Sequence, residues 1–141
     1  TEHQMRTALW PLQVSLFNRL KNDTALTARA KVYDSVSESA AMPYVTVGED
    51  TSVDNGNKSY DGEIITHTLH VWSSYNGRKE VKELMNTVLQ SVTSKPLSLE
   101  GGFFVEDTRL DLMQVLDVNG SPAKHGVIRF RFKITHEEAK V

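Results

Sequence analysis

The sequence predicts an α+β fold: a largely antiparallel β-sheet on which an N-terminal helix and a long amphipathic helix pack. Three stretches predict it. Val81, Leu84, Met85, Val88, Leu89 and Val92 recur at offsets of three and one, which sets all six on one stripe of a 3.6-residue helix. Ile64 to Trp72 precedes them as a β-branched and aromatic run without Gly or Pro inside. Ile128, Phe130, Phe132 and Ile134 alternate strictly with Arg129, Arg131, Lys133 and Thr135, the pattern of a strand with one apolar and one basic, solvent-facing side.

Taken in order, the chain opens with a helix whose stripe is Leu9, Leu12, Leu16, Phe17 and Leu20. Pro11 leaves two arrangements: Thr7 caps a helix with Pro11 near its first turn, or a longer helix kinks there. Asn22-Asp23 ends the helix and is placed to cap a short turn through Ala28. Lys31 to Asp34 is a brief strand candidate, Ser35 to Ala41 a small-residue loop, and Met42 to Gly48 a second strand with Pro43 at its start, where a missing donor does least harm. Glu49 to Gly62 is the most polar connection, and residues 50–61 are expected to form a flexible loop.

The run ending in Trp72 has Ile65, Leu69 and Val71 on one side and Ile64, Thr66, Thr68, His70 and Trp72 on the other, so a central strand covered on both faces is expected. Asn76 is a candidate N-cap for the following helix, Lys79 and Glu83 an i,i+4 pair, and Lys95-Pro96 a stop signal. With each stripe residue stabilising by about 1.5–3 kcal/mol when buried, this helix must cover a sheet. Leu97 to Gly102 reads as a turn region. Phe103 to Val118 is strand-like, with Leu110, Leu112, Leu116 and Val118 on one parity and Met113 and Val115 on the other; Asn119-Gly120-Ser121-Pro122 is turn chemistry. Nothing repeats, and a single domain over 1–141 is expected.

Size and composition bound the function. At 141 residues, with 39% hydrophobic and 24% charged residues, the chain can bury a real core and has the make-up of a globular domain. Its formal net charge of -2 gives no basic field for nucleic acid. The absence of cysteine excludes disulfide frameworks and zinc–thiolate sites. No signal-peptide pattern or membrane-length apolar run occurs, so synthesis and action in the cytosol are expected, without membrane association.

Catalytic chemistry finds little support in the motifs. His67 and His70, three apart on a strand, point to opposite faces and cannot chelate one ion; they are read as polar positions on a half-exposed strand, and His3, His125 and His136 as surface residues. An EF-hand reading of the acidic segment fails, since it puts Val53 and Gly62 at ligand positions. No phosphate-cradling glycine loop, nucleophile elbow or zinc-helix motif occurs, and Glu49, Asp50, Asp107 and Asp111 show no shared cleft. No cofactor, metal or catalytic residue is predicted. The Arg129–Arg131–Lys133 stripe lacks interleaved exposed aromatics, because Phe130 and Phe132 point the other way, and so reads as an exposed strand face or a subunit interface.

Three signatures then line up in order: Lys31-Val32-Tyr33-Asp34, Met42-Pro43-Tyr44-Val45-Thr46-Val47-Gly48-Glu49, and His70-Val71-Trp72-Ser73-Ser74-Tyr75-Asn76-Gly77-Arg78-Lys79-Glu80. In this order and spacing the chain resembles the tail completion proteins of long-tailed bacteriophages, the tail-to-head joining and tail-terminator family. The resemblance extends from the first helix through the long helix and is weaker over the last two strands. It implies a small non-enzymatic subunit of the virion, assembled in the host cytoplasm. Such a subunit forms a homo-hexameric ring on the head-proximal end of the tail tube, stops tube polymerisation and presents a docking surface to the head connector. DNA would pass through the ring without specific binding.

Under that resemblance Tyr44 and Trp72 pack the sheet, Gly77 allows the strand-to-helix turn, and Leu84, Val88, Phe130 and Phe132 build the core. Candidate assembly residues are Asp50, Asp54, Asn57, Lys58, Tyr60 and Asp61, in a loop expected to order against a neighbour or the tube, together with Arg129, Arg131 and Lys133. Two alternatives stay open: a head-side adaptor or stopper, and, from another class, a small ligand-binding domain or enzyme with a concave pocket.

Overall fold

The computed structural model, which describes residues 3–140, runs α1 (Leu9–Lys21), α2 (Thr24–Thr27), β1 (Lys31–Tyr33), β2 (Tyr44–Asp54), β3 (Tyr60–Ser73), α3 (Lys79–Thr93), β4 (Phe103–Asp117) and β5 (Lys124–Ala139). The strands form one mixed sheet in the order β1-β2-β3-β5-β4. Only β1 with β2 is parallel among the described residues; every other neighbouring pair is antiparallel.

One face of this sheet carries the helices. Val45, Val47, Ile65, Leu69, Val71, Ile128, Phe130, Phe132 and Ile134 meet Leu12, Leu16 and Leu20 of α1 and Val81, Leu84, Met85, Val88 and Val92 of α3 in a single core. Leu84, Val88, Phe130 and Phe132 are fully buried. Contact between α3 and β5 is close because position 126 is glycine: a Cβ there would lie 2.6 Å from Met85 Sδ and 3.0 Å from Val81 Cγ2.

Local signals explain most boundaries. Pro11 sits in the first turn of α1, before Leu12 makes the first intrahelical bond to the Ala8 carbonyl, so its missing N–H costs nothing and no kink is needed. Thr7 Oγ1 accepts from the Leu9 N–H. Asp23 caps α2 by accepting from the Ala25 and Leu26 amides.

Other expectations are corrected. Asn76 does not cap α3, which follows Arg78 with no side-chain cap; the entry is instead held by Ser73, whose hydroxyl accepts from the Tyr75 amide and donates to Glu80. Glu83 reaches across to Arg29 at 3.2 Å rather than pairing along the helix with Lys79. Gly77 has no left-handed φ; the glycines that do are Gly101, Gly102 and Gly120, in the turns before β4 and β5. Strand β3 is central but has helices on one face only. On the other, Ile64, Thr66, His70 and Trp72 are half-buried, screened by side chains of the flanking strands.

The segment expected as a loop at 50–61 is mostly sheet. A register shift between Val47 and Asp50 lets β2 continue to Asp54 against β3, leaving residues 55–59 as the turn. Polar side chains conceal the strand, because Ser52 bonds to Glu63 of β3 and Asp54 to the Gly56 amide rather than packing in an apolar core. Two register shifts in β4 likewise break its parity: Leu110 pairs with Phe130 on the helical side and Leu112 with Arg129 on the open side.

Candidate functional site

Since the helices occupy one face, the surfaces left to act are the open sheet face, the end of the β2–β3 hairpin and the sheet edges. The open face carries the basic stripe. Arg129 Nε donates to Asp111 at 2.6 Å and Lys133 Nζ lies 3.4 Å from Glu106, while Arg109, opposite Arg131 in register, donates to Asp107 at 2.9 Å. The Arg109 hydrogen bond holds the Asp107 carboxyl below its ordinary range. Arg131 is exposed, and no ion-pair partner lies within reach of it among the described residues. The stripe is thus two paired cations around Arg131, which makes no direct ion pair but whose charge also helps to lower the nearby Asp107 carboxyl.

Beside it lies an aromatic and imidazole cluster that strand periodicity did not reveal. Trp72 stacks on His125 at 3.8 Å between ring centroids and 7° between planes. His70 Nδ1 is 2.7 Å from His125 Nε2, and His70 Nε2 is 2.7 Å from Glu49 Oε1. With His70 donating to Glu49 through Nε2, its Nδ1 accepts from His125 Nε2–H. Burial and the neighbouring His70 push the His125 pKa down, while the His70 hydrogen bond holds Glu49 low. Gly48 makes the arrangement possible, since a Cβ there would come within 2.7 Å of the His70 ring. Tyr44, opposite Trp72 in register, packs edge-on against Tyr33 at 5.7 Å. Tyr44 and Trp72 therefore pack the open side of the sheet, not the helical core.

At the hairpin end, Asp54 accepts from the Gly56 amide and Asn57 from the Ser59 and Tyr60 amides, side-chain turns that explain the Asp/Asn-rich composition. Lys58 and Tyr60 are exposed. Asn57 and Tyr60 line the same surface groove as Glu106 and Lys133, so part of the candidate loop and one end of the basic stripe do come together. Asp61, though buried, also lines that groove, whereas Asp50 does not join it. Asp50 lies on the helical side, 3.6 Å from His67 Nε2; Asp61 is buried, 2.7 Å from His3 Nε2 and 3.4 Å from Lys140 Nζ, tying the two ends of the described chain to the hairpin.

Under α1 sits a second polar group missed in the sequence. Glu63 is 5% exposed and accepts from the Ala8 amide at 2.6 Å, from Thr7 and Ser52 hydroxyls, and from His136 at 3.2 Å. Burial alone would raise its pKa, but these donors together hold it below the ordinary value. A carboxylate on the same parity as Ile65 was the readable sign. His67 and His136 are buried, contrary to their expected exposure: His67 points under the helices between Ile65 and Leu69, and His136 is drawn in by Glu63 and by Phe103, whose ring lies edge-on at 4.7 Å.

Among the described residues no three His, Cys, Asp or Glu side chains are grouped to hold a metal ion, and no helix is long and apolar enough to cross a membrane. The exposed features are the faces, edges, grooves and hairpin end of a small α+β domain. A family model for the tail completion protein gp17 matches residues 14–135, and the tail completion protein gp17 of Bacillus phage SPP1 is 37% identical over 106 residues, 75% of this chain and 78% of that protein. The chain belongs to the tail completion protein gp17 family, structural proteins of bacteriophage tails. The solved structure of SPP1 gp17 matches with a TM-score of 0.58 at 29% identity, covering 91% of this chain and 95% of that one. A chain in the virion of a native gene transfer agent particle matches in fold with a TM-score of 0.82 at 20% identity, covering 93% and 99% respectively.

Proposed function

We propose that this protein closes the head-proximal end of a phage tail tube as a six-membered ring, ends tube polymerisation and offers the docking surface for the head connector. The observation that carries the reading is family membership across both the helical layer and the sheet, from residue 14 to 135. Surface chemistry supports it. A ring needs one patch that meets a different patch on the next copy, and this sheet has dissimilar edges at β1–β2 and β4. A net charge of -2 suits a channel through which DNA slides without sticking. The contact with neighbouring subunits or the tube that was expected of residues 50–61 falls to the exposed hairpin end, Asp54 to Tyr60.

Binding to purified tails made without this protein, compared with binding to DNA-filled heads, tests the proposal by sedimentation and electron microscopy. A ring at one end of the tails is the expected result. Binding to heads alone would replace it with a head-side adaptor or stopper, and binding to neither would overturn both.

A further inference from the structure

Resting on that ring reading, we infer that adjacent subunits join edge to edge, the free edge of β4 pairing antiparallel with the uncovered part of β2 in a second copy of this chain. β4 is 15 residues long and, beyond a single bridge from Ser98 to Phe104, has no strand on its outer edge among the described residues. Its edge mixes charged residues and two register shifts with apolar surface: Phe104 is 55% exposed, Leu110 42% and Leu116 37%, and the groove between β4 and α3 is lined by Leu89, Met113 and Val115. At the opposite side of the sheet, β1 pairs only with Tyr44, Val45 and Thr46, so β2 from Val47 to Asp54 has an open edge, where Val53 is 64% exposed.

Strand direction selects the partner. β2 is antiparallel to β3, β3 to β5 and β5 to β4, so β2 and β4 run in opposite senses. A second copy placed beside the first with its sheet facing the same way presents β2 antiparallel to β4, so the antiparallel sense of the sheet carries across the junction. That contact is heterologous and propagates until it closes, whereas pairing β4 with β4 would stop at two copies. Charge agrees. Arg109 and Arg131 stand directly opposite each other, a like-charged cross-strand pair that costs stability on its own, with the single Asp107 carboxylate near both and no direct ion pair to Arg131 among the described residues. Glu49, with a side chain 70% exposed although bonded to His70, lies at the open edge of β2 on the same open face, and so puts a carboxylate on the face that carries the two arginines.

Because the chain has no cysteine, engineered pairs report without background. Thr51→Cys is combined in turn with Asp107→Cys, Arg109→Cys, Leu112→Cys or Gln114→Cys, open-face positions spanning the possible strand offsets. Rings are assembled on tails, oxidised and run on non-reducing gels. A ladder of covalent oligomers in at least one pair, absent from each single variant, is expected. Rings visible by microscopy with no ladder from any pair would overturn the edge junction and leave the ring reading intact. Dimers from a single β4 cysteine would overturn it in favour of twofold β4 pairing. Absence of rings with the wild-type chain would remove the ring reading itself, and this junction with it.

Discussion

The Glu63 carboxylate accepts the Ala8 backbone N–H at 2.6 Å, so the start of α1 is held by a buried charge on the central strand. Hydrogen bonds to charged groups contribute about 1.5–3 kcal/mol each, and leaving donors unpaired costs a similar amount. Glu63→Gln is predicted to lower unfolding stability by about 2–3 kcal/mol by the same reckoning, read as a shift in denaturant midpoint. Its pH signature is specific. The folded carboxyl titrates below its ordinary 4.5, so its stabilisation is complete above that value and is lost as pH falls through the folded pKa. The variant lacks this acid limb.

His67 gives a second limb at higher pH. It is fully buried, neither ring nitrogen has a hydrogen-bond partner among the described residues, and burial lowers its pKa from 6.5 despite the opposing charges of Asp50, Glu49 and Asp34. Above pH 6.5 it is neutral folded and unfolded; below, the unfolded chain takes the proton first, so stability declines as pH falls toward the folded value. His67→Leu is predicted to retain stability at neutral pH and to flatten the decline just below pH 6.5 in urea titrations. An unchanged slope would mean the imidazole is not kept neutral.

Gly48→Ala tests the open-face cluster. The added methyl would sit 2.7 Å from the His70 ring and 2.9 Å from the Thr68 carbonyl oxygen, on backbone that cannot yield. A loss of about 1–3 kcal/mol is expected from overpacking, with altered imidazole nitrogen shifts for His70 and His125 by NMR.

Leu84→Asp places an unpaired charge at a fully buried site between α3 and the sheet. A loss of about 4–5 kcal/mol or more is expected, enough to unfold a domain of ordinary stability, with Leu84→Ala costing about 2–5 kcal/mol. Circular dichroism distinguishes these outcomes, and wild-type stability of the aspartate variant would displace α3 from the core.

Where burial follows apolar periodicity, the sequence is legible: the α3 stripe, the β5 alternation and the Asp23 cap stand where their patterns put them. The end of β2 was hidden because Ser52 serves Glu63 and Asp54 serves a turn, giving a strand with no apolar signature. In β4, Leu112 and Leu116 on one face and Met113 and Val115 on the other stand as the pattern put them, and Leu110 departs because the register shift between Leu110 and Leu112 exchanges faces. The assembly surfaces were partly visible. Strict alternation placed Arg129, Arg131 and Lys133 together, but which arginine lacks a partner depends on β4 acids set beside β5 by tertiary pairing. The imidazole cluster required β3 and β5 to be neighbours, a fact that no local pattern encodes.

The most direct test of tail completion is growth of the tube itself. Tails lacking this protein are preincubated with it, supplied with free tube subunits, and their lengths measured by electron microscopy. Capped tails are predicted to keep their starting length while uncapped controls elongate; equal elongation with the protein bound at the growing end would contradict termination.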